Sequence, residues 1–414
     1  MTSETERPVL IAGAGPAGLL LALLLAKRSI PVYVIEMENT VDSRPRATHY
    51  GAPAVHELER AGVLQDIRKE GFIPRSVTWR KPDGALLVEL DRTCLDENDS
   101  IHCLPLNRLS QILCHHLAQN ASARILWNHK VVDIGQDGSK VWADVEHMEA
   151  VTRLEGSFLV GCDGAKSQVR RSLFGKNALF GKTWDQQLVA TNVYYPFDKY
   201  GYSDVNFIID PENWHMAAKI SKDGLWRVTY GEKQDLSEEV VLARQPAKFE
   251  QLLPSHPKPE DQDAYMLMSI SPYRVHQRQV EKMHVGRICL AADAAHLCNP
   301  FGGLGLTGGL LDAGALYDCI SGIIDGLANK NILDKYDEIR GQVFRSIVDP
   351  VSSSNFLLLQ RDSDDSSLMQ DSFIELAKRA ALDADFSREF QTRSLEMRVD
   401  FTKFYHQSGF VDRY

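Results

Sequence analysis

The chain opens on an almost unbroken run of hydrophobic residues that divides into a strand, a turn and a helix. Residues 9–12 and 32–36 are continuously apolar, as expected for parallel strands covered on both faces, and residues 17–28 between them predict a helix. Glycines interrupt the run where the first strand gives way to the helix, at Gly13, Gly15 and Gly18. The pattern predicts a β-α-β unit.

The same run, residues 9–26, is almost long enough to span a membrane, and it also has the apolar character of a secretory signal. Its glycines and Pro16 suit one uninterrupted helix poorly, and Glu4 and Glu6 stand where a signal would carry basic residues. We therefore expect a soluble chain with no membrane span.

Further along, the hydrophobic spacing alternates between helix and strand. Residues 107–119 carry apolar side chains at helical spacing behind Asn107, which predicts a capped helix. Residues 131–134 and 141–145 flank the turn GQDGS and predict a hairpin, and residues 158–162 predict another apolar strand.

The second half of the chain has a different pattern. Residues 181–279 contain short aromatic and β-branched stretches separated by Asp-Pro and Asp-Gly turns, which predict an antiparallel sheet joined by residues 76–90. An apolar strand at 288–291 is followed by a glycine-rich loop and a helix from about Gly309. The last part is predicted to be helical and polar, with an exposed joint at 361–367.

Composition narrows the class of protein. The 414 residues carry 46 Lys and Arg against 56 Asp and Glu, a net charge of −10, which disfavours nucleic acid or an anionic membrane as a partner. Hydrophobic residues make up 44% and charged residues 25%, which excludes disorder, collagen and coiled coil. Seven cysteines form no CxxC pair, and the histidines show no metal-ligand spacing. We expect mostly buried thiols, no metal and a cytoplasmic location.

The three early glycines have the spacing GxGxxG between strand and helix, the turn that lets backbone approach a pyrophosphate at a helix N-terminus. Glu36 ends the next strand 18 residues after Gly18, where a carboxylate can accept hydrogen bonds from a ribose. An acid there would repel a 2′-phosphate, which disfavours NADP in this pocket. The alternative is a glycine turn that opens some other α/β fold.

Two further segments suggest ligand contacts. Residues 159–173 contain a strand that ends in Asp163-Gly164, which suggests a side chain aimed at a ligand over the sheet, although an ordinary turn has the same sequence. In residues 286–313 Asp293 follows an apolar strand, and glycines crowd the positions after it, at Gly302, Gly303, Gly305, Gly308 and Gly309. So many glycines cost folding entropy, which favours a close backbone approach to a ligand over a flexible loop.

These three motifs, in this order and at this spacing, resemble those of group A flavoprotein monooxygenases, the para-hydroxybenzoate hydroxylase-like family, over residues 8–350. By this resemblance the first is the FAD fingerprint, the second the DG motif, and the third the GD motif with its proline-glycine loop. Segments such as RPRATHYG at 44–51 and NPFGGLGLTGG at 299–309 resemble the fungal secondary-metabolite branch of the family.

The fold class expected from pattern and resemblance is α/β. It combines a Rossmann-like FAD-binding domain with a parallel sheet, an antiparallel-sheet substrate domain and a C-terminal helical segment. The expected boundaries are 1–75, 100–180 and 280–350 for the FAD-binding domain, 76–99 and 181–279 for the substrate domain, and 351–414 for the helical segment.

The resemblance implies which residues contact FAD. Glu36 would bind the adenosine ribose, Asp163 would help to hold FAD and NAD(P)H, and Asp293 would bond the ribityl chain. The backbone of Gly305 and Leu306 would lie at the flavin N1/O2 edge, and Phe301 would line the pocket. The other residues that would lie along the cofactor are Gly13, Gly15, Ala17, Gly18, Arg44, Arg46, Ala47, Arg108, Pro300 and Gly303. A solvated surface role is the alternative for the three arginines. Two positions depart from the family pattern, since Ala292 replaces a glycine and Thr307 replaces a frequent asparagine.

In such a family NADPH or NADH reduces the flavin, O2 adds to give a C4a-hydroperoxide, and one oxygen atom passes to an aromatic, phenolic or polyketide-like substrate. A phenol must be activated towards its phenolate by a base or a positive group. The candidates in the predicted sheet are Tyr195, His215, Arg227, Tyr230 and also Tyr194, with a place in the core or on the surface as the alternative for each. Strand alternation prevents Tyr194 and Tyr195 from both facing the pocket.

Other functions remain open at this point. The same flavin chemistry can perform Baeyer–Villiger oxidation or epoxidation, and a NAD-binding dehydrogenase or an idle FAD-binding regulator are alternatives from other classes. A dehydrogenase would have no need of the segment 286–309, and an idle binder would show no substrate-stimulated NAD(P)H oxidation. We expect a monomer or homodimer that acts on a small aromatic molecule.

Overall fold

The predicted β-α-β unit lies in the middle of a parallel sheet. The computed structural model describes residues 7–42, 46–261 and 263–406, and within these ranges the sheet has six strands. All neighbouring strands are parallel except β17 and β18. In pairing order they are β17 (His284–Val285), β18 (Ile288–Leu290), β11 (Phe158–Gly161), β1 (Val9–Ala12), β2 (Val32–Ile35) and β7 (Ala123–Leu126).

Three helices pack together beside this sheet: α1 (Pro16–Lys27), α4 (Leu106–Ala118) and α7 (Leu304–Ile324). Residues 17–26 of α1 are all buried, so the helix is apolar on every side. None of the helices in the described ranges combines the length and apolar character that a bilayer crossing requires.

Two helix starts differ from the predictions. Helix α4 begins after Pro105, so Asn107 lies inside the first turn and does not cap the helix. Helix α7 begins at Leu304 and not at Gly309, and it follows directly on Gly303, which has a left-handed conformation with φ 63°. Much of the expected glycine loop is therefore helical.

A second, mixed sheet contains eight strands in the described part of the chain: β19 (His296–Leu297), β16 (Met266–Val280), β12 (Leu179–Tyr194), β15 (Leu225–Lys233), β14 (His215–Lys219), β13 (Val205–Ile208), β4 (Ser76–Arg80) and β5 (Leu86–Asp91). The prediction that residues 76–90 join this sheet is confirmed. The sheet is not purely antiparallel, since β4 and β13 pair in parallel. These two strands are far apart in the chain, so no hairpin turn fixes their direction.

The two faces of the mixed sheet are covered by different elements. One face packs against α6 (Glu238–Leu252) through Phe249 and Leu252. The prediction of strands throughout 181–279 was wrong for α6, because Pro246 inside the helix obscures its periodicity. The other face packs against Phe301 and the C-terminal helices. At β15 this face meets the segment after β2, where Arg227 donates to the carbonyl of Arg46, and the region between this part of the face and the loop after β18 is called the cleft below.

The remaining elements are small. Strands β8 (Lys130–Gln136), β9 (Val141–His147) and β10 (Ala150–Gly156) form a separate sheet that contains the predicted hairpin, and β3 (His49–Tyr50) pairs with β6 (His102–Cys103). The other helices are α2 (Ala52–Arg60), α3 (Leu64–Glu70), α5 (Gln168–Phe174), α8 (Ile332–Val343), α9 (Asp349–Leu359), α10 (Ser372–Leu382) and α11 (Ala384–Thr392). A π-helical turn at Phe344–Val348 joins α8 to α9, where Pro350 cannot donate a helical hydrogen bond.

Candidate active site

The glycine turn after β1 leaves an open surface at the start of α1. A side chain at Gly13 would lie 2.5 Å from the carbonyl oxygen of Cys162, and one at Gly18 would lie 2.2 Å from that of Gly13, so both glycines are needed for close packing. At Gly15, which caps α1, an added Cβ would meet nothing within 4 Å. The open side of Gly15 and the first amides of α1 form a cradle that suits a pyrophosphate.

Glu36 follows β2 and lies beside this turn. Its Oε2 accepts a hydrogen bond from the amide of Ala14 at 2.6 Å, and its Oε1 accepts one from the amide of Glu38 at 2.9 Å. These bonds fix the carboxylate at the sheet edge while each oxygen keeps further acceptor capacity. The position suits the ribose hydroxyls of a dinucleotide.

Asp163 follows β11 and holds the start of α5. Its Oδ2 accepts the amides of Gln168 at 2.6 Å and Val169 at 3.1 Å. Its Oδ1 is buried and has no hydrogen-bond partner within the described ranges. A buried orphan carboxylate oxygen is costly, so it points to a ligand hydroxyl or amide that completes the site.

Asp293 follows β18 in a single 3-10 turn, Ala292–Ala294, and its side chain is exposed. Desolvation by the neighbouring protein raises the pKa of its carboxyl, and His296, Arg46 and Arg170 oppose that rise. Arg170 joins this loop to the DG motif, because its guanidinium donates to the carbonyls of Ala165 at 2.6 Å and Ala294 at 2.9 Å. Arg170 is not among the residues predicted to contact the cofactor. Its sequence gives one indication of such a role, a cation close to the DG motif.

The third motif forms a tight turn into α7. Gly303 caps the helix and an added Cβ there would meet nothing within 4 Å, while Gly305 and Leu306 lie in the first turn, where backbone amides lack intrahelical acceptors. Thr307 accepts a hydrogen bond from the amide of Gly51 at 3.0 Å, which ties α7 to the start of α2. Pro300 is partly accessible in the same turn.

Phe301 does not line the cleft as expected. It is 2% exposed and its ring packs against Trp214 and Phe356 in the core behind the mixed sheet. The hydrogen bond from its amide to Asn299 Oδ1, 3.1 Å long, fixes this inward direction.

Arg227 lies on the face of the mixed sheet that looks towards the parallel sheet. Its Nε donates to Asn192 Oδ1 at 3.0 Å, and its Nη1 donates to the backbone carbonyl of Arg46. Both acceptors are neutral, and Arg227 is only 8% exposed, so desolvation lowers its pKa. Tyr273 on β16 is close enough to interact with the charge of Arg227 and is 37% exposed, and desolvation by the neighbouring protein raises its pKa to about 12.

His49 was missed by the sequence analysis and lies at the same junction. Its Nδ1 shares a hydrogen bond of 2.9 Å with Thr48 Oγ1, while its Nε2 is buried and lacks a partner among the described residues. Desolvation, helped by the charge of Arg227, lowers the pKa of His49 to about 4. A neutral imidazole with an orphan nitrogen beside an arginine can hydrogen-bond a polar ligand.

Three of the predicted catalytic residues are not brought to the cleft. His215 and Tyr230 pair directly across β14 and β15 and point under α6, because strand alternation puts them on the face opposite to Arg227. Tyr195 also lies on that side, where its hydroxyl donates to Ser255 at 2.8 Å. Tyr194 reaches the surface and donates to Asp223.

The other residues expected to contact the cofactor differ in exposure and in the partners they bind. Arg108 pairs with Glu70 at 2.8 Å, half-exposed, and Arg46 pairs with Asp42 at 2.9 Å. Ala47 accepts a backbone hydrogen bond from Leu106, and Ala17 lies in the first turn of α1. Arg44 falls outside the described residues.

The open glycine surfaces and the orphan oxygen of Asp163 together fit an extended dinucleotide with a flavin at the α7 end. The fold and the site thus define a flavin-dependent oxidoreductase. A family model described as "FAD binding domain" matches residues 6–351, and the chain belongs to this family of group A flavin monooxygenases. It is an FAD-dependent aromatic hydroxylase.

Two bacterial enzymes are similar in sequence to this chain over most of their length. A para-nitrophenol 4-monooxygenase of Pseudomonas sp. strain WBC-3 is 38% identical over 390 residues, 94% of this chain and 95% of the relative. A 6-hydroxy-3-succinoylpyridine 3-monooxygenase of Pseudomonas putida is 37% identical over 355 residues, 84% of this chain and 88% of the relative.

Solved structures of similar proteins have the same fold as this chain. The p-nitrophenol 4-monooxygenase of Pseudomonas putida DLL-E4 superposes with a TM-score of 0.89 at 37% identity and covers 95% of this chain and 98% of its own. Aklavinone-11 hydroxylase, at 19% identity and a TM-score of 0.74, shares the fold, with 88% of this chain and 73% of its own covered.

Proposed function

We propose that the chain hydroxylates the ring of a small phenol, or of a hydroxylated aromatic ring of similar size, with FAD, O2 and NADH or NADPH. The observation that carries this proposal is Arg227, a buried cation at the cleft face whose hydrogen bonds within the described residues go only to neutral acceptors. A buried charge without a counter-ion is unfavourable, so the site favours a substrate that brings negative charge. A phenolate does so, and the two enzymes similar over most of their length act on nitrophenol and hydroxypyridine substrates.

Some residues of the chain would bind the cofactor and others would bind and activate the substrate. Glu36, Asp163 and Asp293 would hold FAD together with the glycine turn and the first amides of α7, and FAD would supply the redox and oxygen chemistry. Arg227 would stabilise the phenolate and so favour deprotonation of the phenol, and the phenolate ring is the electron-rich form that accepts oxygen. Neutral His49 can accept a hydrogen bond from the phenol hydroxyl at Nε2, the proton leaves to solvent, and Tyr273 would flank the ring.

Isotope labelling tests the reaction. Purified enzyme with FAD, NADPH or NADH, and a substituted phenol without a nitro leaving group is allowed to turn over under ¹⁸O2 in ordinary water, and the mass of the product is measured. One labelled oxygen in a ring hydroxyl is expected. A product without label contradicts a monooxygenase, and a labelled lactone or epoxide contradicts ring hydroxylation.

Arg227 is tested by substitution. Arg227→Gln removes a charge-assisted contact of about 1.5–3 kcal/mol, so kcat/KM for the phenol should fall roughly 10- to 150-fold, with partial recovery in Arg227→Lys. Arg274→Gln on β16, two strands away in the same sheet, is the matched control, because Arg274 is exposed and pairs with Asp235. Equal kcat/KM in Arg227→Gln and the control would contradict a phenolate site at Arg227.

Some finer expectations stay predictions. The choice between NADH and NADPH, a monomer or homodimer, a cytoplasmic location and the fungal secondary-metabolite branch belong to this group. Steady-state assays with each nicotinamide and sedimentation of the FAD-loaded protein address the first two.

A further inference from the structure

A buried carboxylate behind the GD motif has a full set of partners. Asp312, in the third turn of α7, is 0% exposed and accepts hydrogen bonds from Arg340 Nε at 2.8 Å, His296 Nε2 at 2.8 Å and the amide of Ala292 at 2.9 Å. Desolvation pushes the pKa of Asp312 upward, but the charges and hydrogen bonds of His296 and Arg340 outweigh it and lower the pKa. The group is therefore ionised and fully satisfied.

The partners of Asp312 are themselves fixed. Arg340 also donates to the carbonyls of Met397 at 2.9 Å and Gly308 at 3.2 Å. The ring of His296 stacks on Phe344, with 5.0 Å between ring centroids. The network thus connects α8, α7 and the segment that follows β18 into one rigid unit.

Ala292 is the point at which this unit meets the cleft. Its φ is +54°, a left-handed conformation that side chains disfavour, and its Cβ would lie 2.7 Å from a Cβ added at Gly309. The backbone at 292 therefore holds this shape because something else stabilises it, and the amide of Ala292 donates directly to Asp312. Ala292 also immediately precedes Asp293, so its conformation decides where the Asp293 carboxylate points.

We propose that Asp312 is a positioning residue for the cofactor site: through the amide of Ala292 and the side chain of His296 it holds the left-handed turn that presents Asp293 to FAD. Asp312 is 0% exposed within α7, so it acts on the cofactor site only through its partners. The proposal rests on Asp293 as an FAD ligand and is independent of the substrate.

The test is a rescue experiment on FAD affinity. In Asp312→Asn one carboxylate oxygen becomes an NH2 donor, which faces either Arg340 Nε or the Ala292 amide and His296, and the negative charge of the network is lost. The anchor of the turn is weakened in either orientation, so the Kd for FAD measured by flavin fluorescence quenching should rise roughly 10- to 100-fold. The double variant Asp312→Asn/Ala292→Gly should bind FAD at least tenfold more tightly than Asp312→Asn alone, if that variant has lost hundredfold. The reason is that glycine adopts the left-handed conformation without strain. Ala292→Gly alone should bind FAD as the unaltered chain does, or more tightly.

Three results would contradict a positioning role for Asp312. An Asp312→Asn variant that binds FAD within twofold of the unaltered chain, or a loss that Ala292→Gly fails to relieve, would overturn the proposal, and so would unchanged affinity in Asp293→Ala. If Asp312→Asn does not fold, His296→Gln keeps a donor to Asp312 and should give a smaller loss, about threefold, that Ala292→Gly again relieves. All these titrations omit substrate, so they stand whether or not a phenol is hydroxylated.

Discussion

At the scale of single residues, burial and not residue type decides which groups reach the cleft. Arg227 was identifiable as a cation within an aromatic strand, but His215 and Tyr230 were equally good candidates. Apolar and polar residues alternate along β15, yet the strand is buried on both faces, so the alternation does not tell which face meets the substrate. His49 lies in a two-residue strand, which offers no periodicity to interpret. Only tertiary packing assigns these residues to a face.

The proposed FAD ligands give the first expected result. Glu36→Ala and Asp293→Ala each remove one or two charge-assisted hydrogen bonds, about 1.5–3 kcal/mol, so the Kd for FAD should rise roughly 10- to 150-fold in each variant. Titration of apoprotein with FAD measures this. Glu38→Ala serves as control, since Glu38 is exposed and only its backbone amide contacts Glu36. Unchanged affinity in both variants would contradict the proposed cofactor contacts.

Buried histidine makes stability depend on pH. Desolvation lowers the pKa of His215 to about 4, whereas an unfolded histidine titrates near 6.5. Between these values the unfolded chain binds a proton that the folded chain does not, so stability falls as pH drops from about 6.5 to about 4, on the order of 2 kcal/mol at pH 5.

His215→Gln should therefore reduce the loss of unfolding free energy between pH 7 and pH 5, as measured by urea denaturation. His115→Gln is the control, because His115 is exposed on α4. An identical pH dependence in both variants would show that the pKa of His215 is not lowered on folding.

At the scale of elements, contiguous apolar strands were predictable and helix starts were not. The parallel strands and the 130–147 hairpin follow from local pattern and turn chemistry. Helix α7 begins within a glycine-rich stretch that local propensity assigns to a loop. It is helical because it packs against the turn at Ala292, a contact that no local pattern reports.

Two glycines in α7 should respond differently to substitution. A Cβ at Gly309 would lie 2.7 Å from that of Ala292 and 3.3 Å from its Cα, so Gly309→Ala should cost about 1–3 kcal/mol of unfolding free energy. A Cβ at Gly308 would meet only His296 at 3.8 Å, so Gly308→Ala should be neutral or gain up to about 1 kcal/mol from helix propensity. Urea denaturation of both variants tests the pair, and equal effects would contradict this packing.

At the scale of the whole molecule, the cleft lies where two sheets of different topology meet. A parallel sheet beside a second sheet was predictable from pattern and resemblance, although the second sheet was predicted to be antiparallel and is mixed. The match to known hydroxylase structures confirms the fold class. The domain boundaries stay a prediction. The pairing of β4 with β13 and the packing of the C-terminal helices on the mixed sheet depend on contacts between distant parts of the chain.

FAD should stabilise the molecule as a whole. A ligand that binds only the folded state at 100 times its Kd adds about 2.7 kcal/mol, so the Tm of the protein should rise with FAD concentration. Differential scanning calorimetry with and without FAD measures the shift. A variant with both Glu36→Ala and Asp293→Ala should shift much less at the same FAD concentration, and an equal shift would place FAD elsewhere.

The two-sided packing of β15 has a consequence for how such an enzyme changes over generations. Arg227 and Thr229 share the cleft-side face, while Trp226, Val228 and Tyr230 belong to the hydrophobic cluster under α6. Selection for a new substrate and selection for a well-folded chain therefore act on alternate positions of one strand. A library restricted to the cleft-side positions can explore new substrate ranges while the fold-bearing positions, one residue away, keep their sequence.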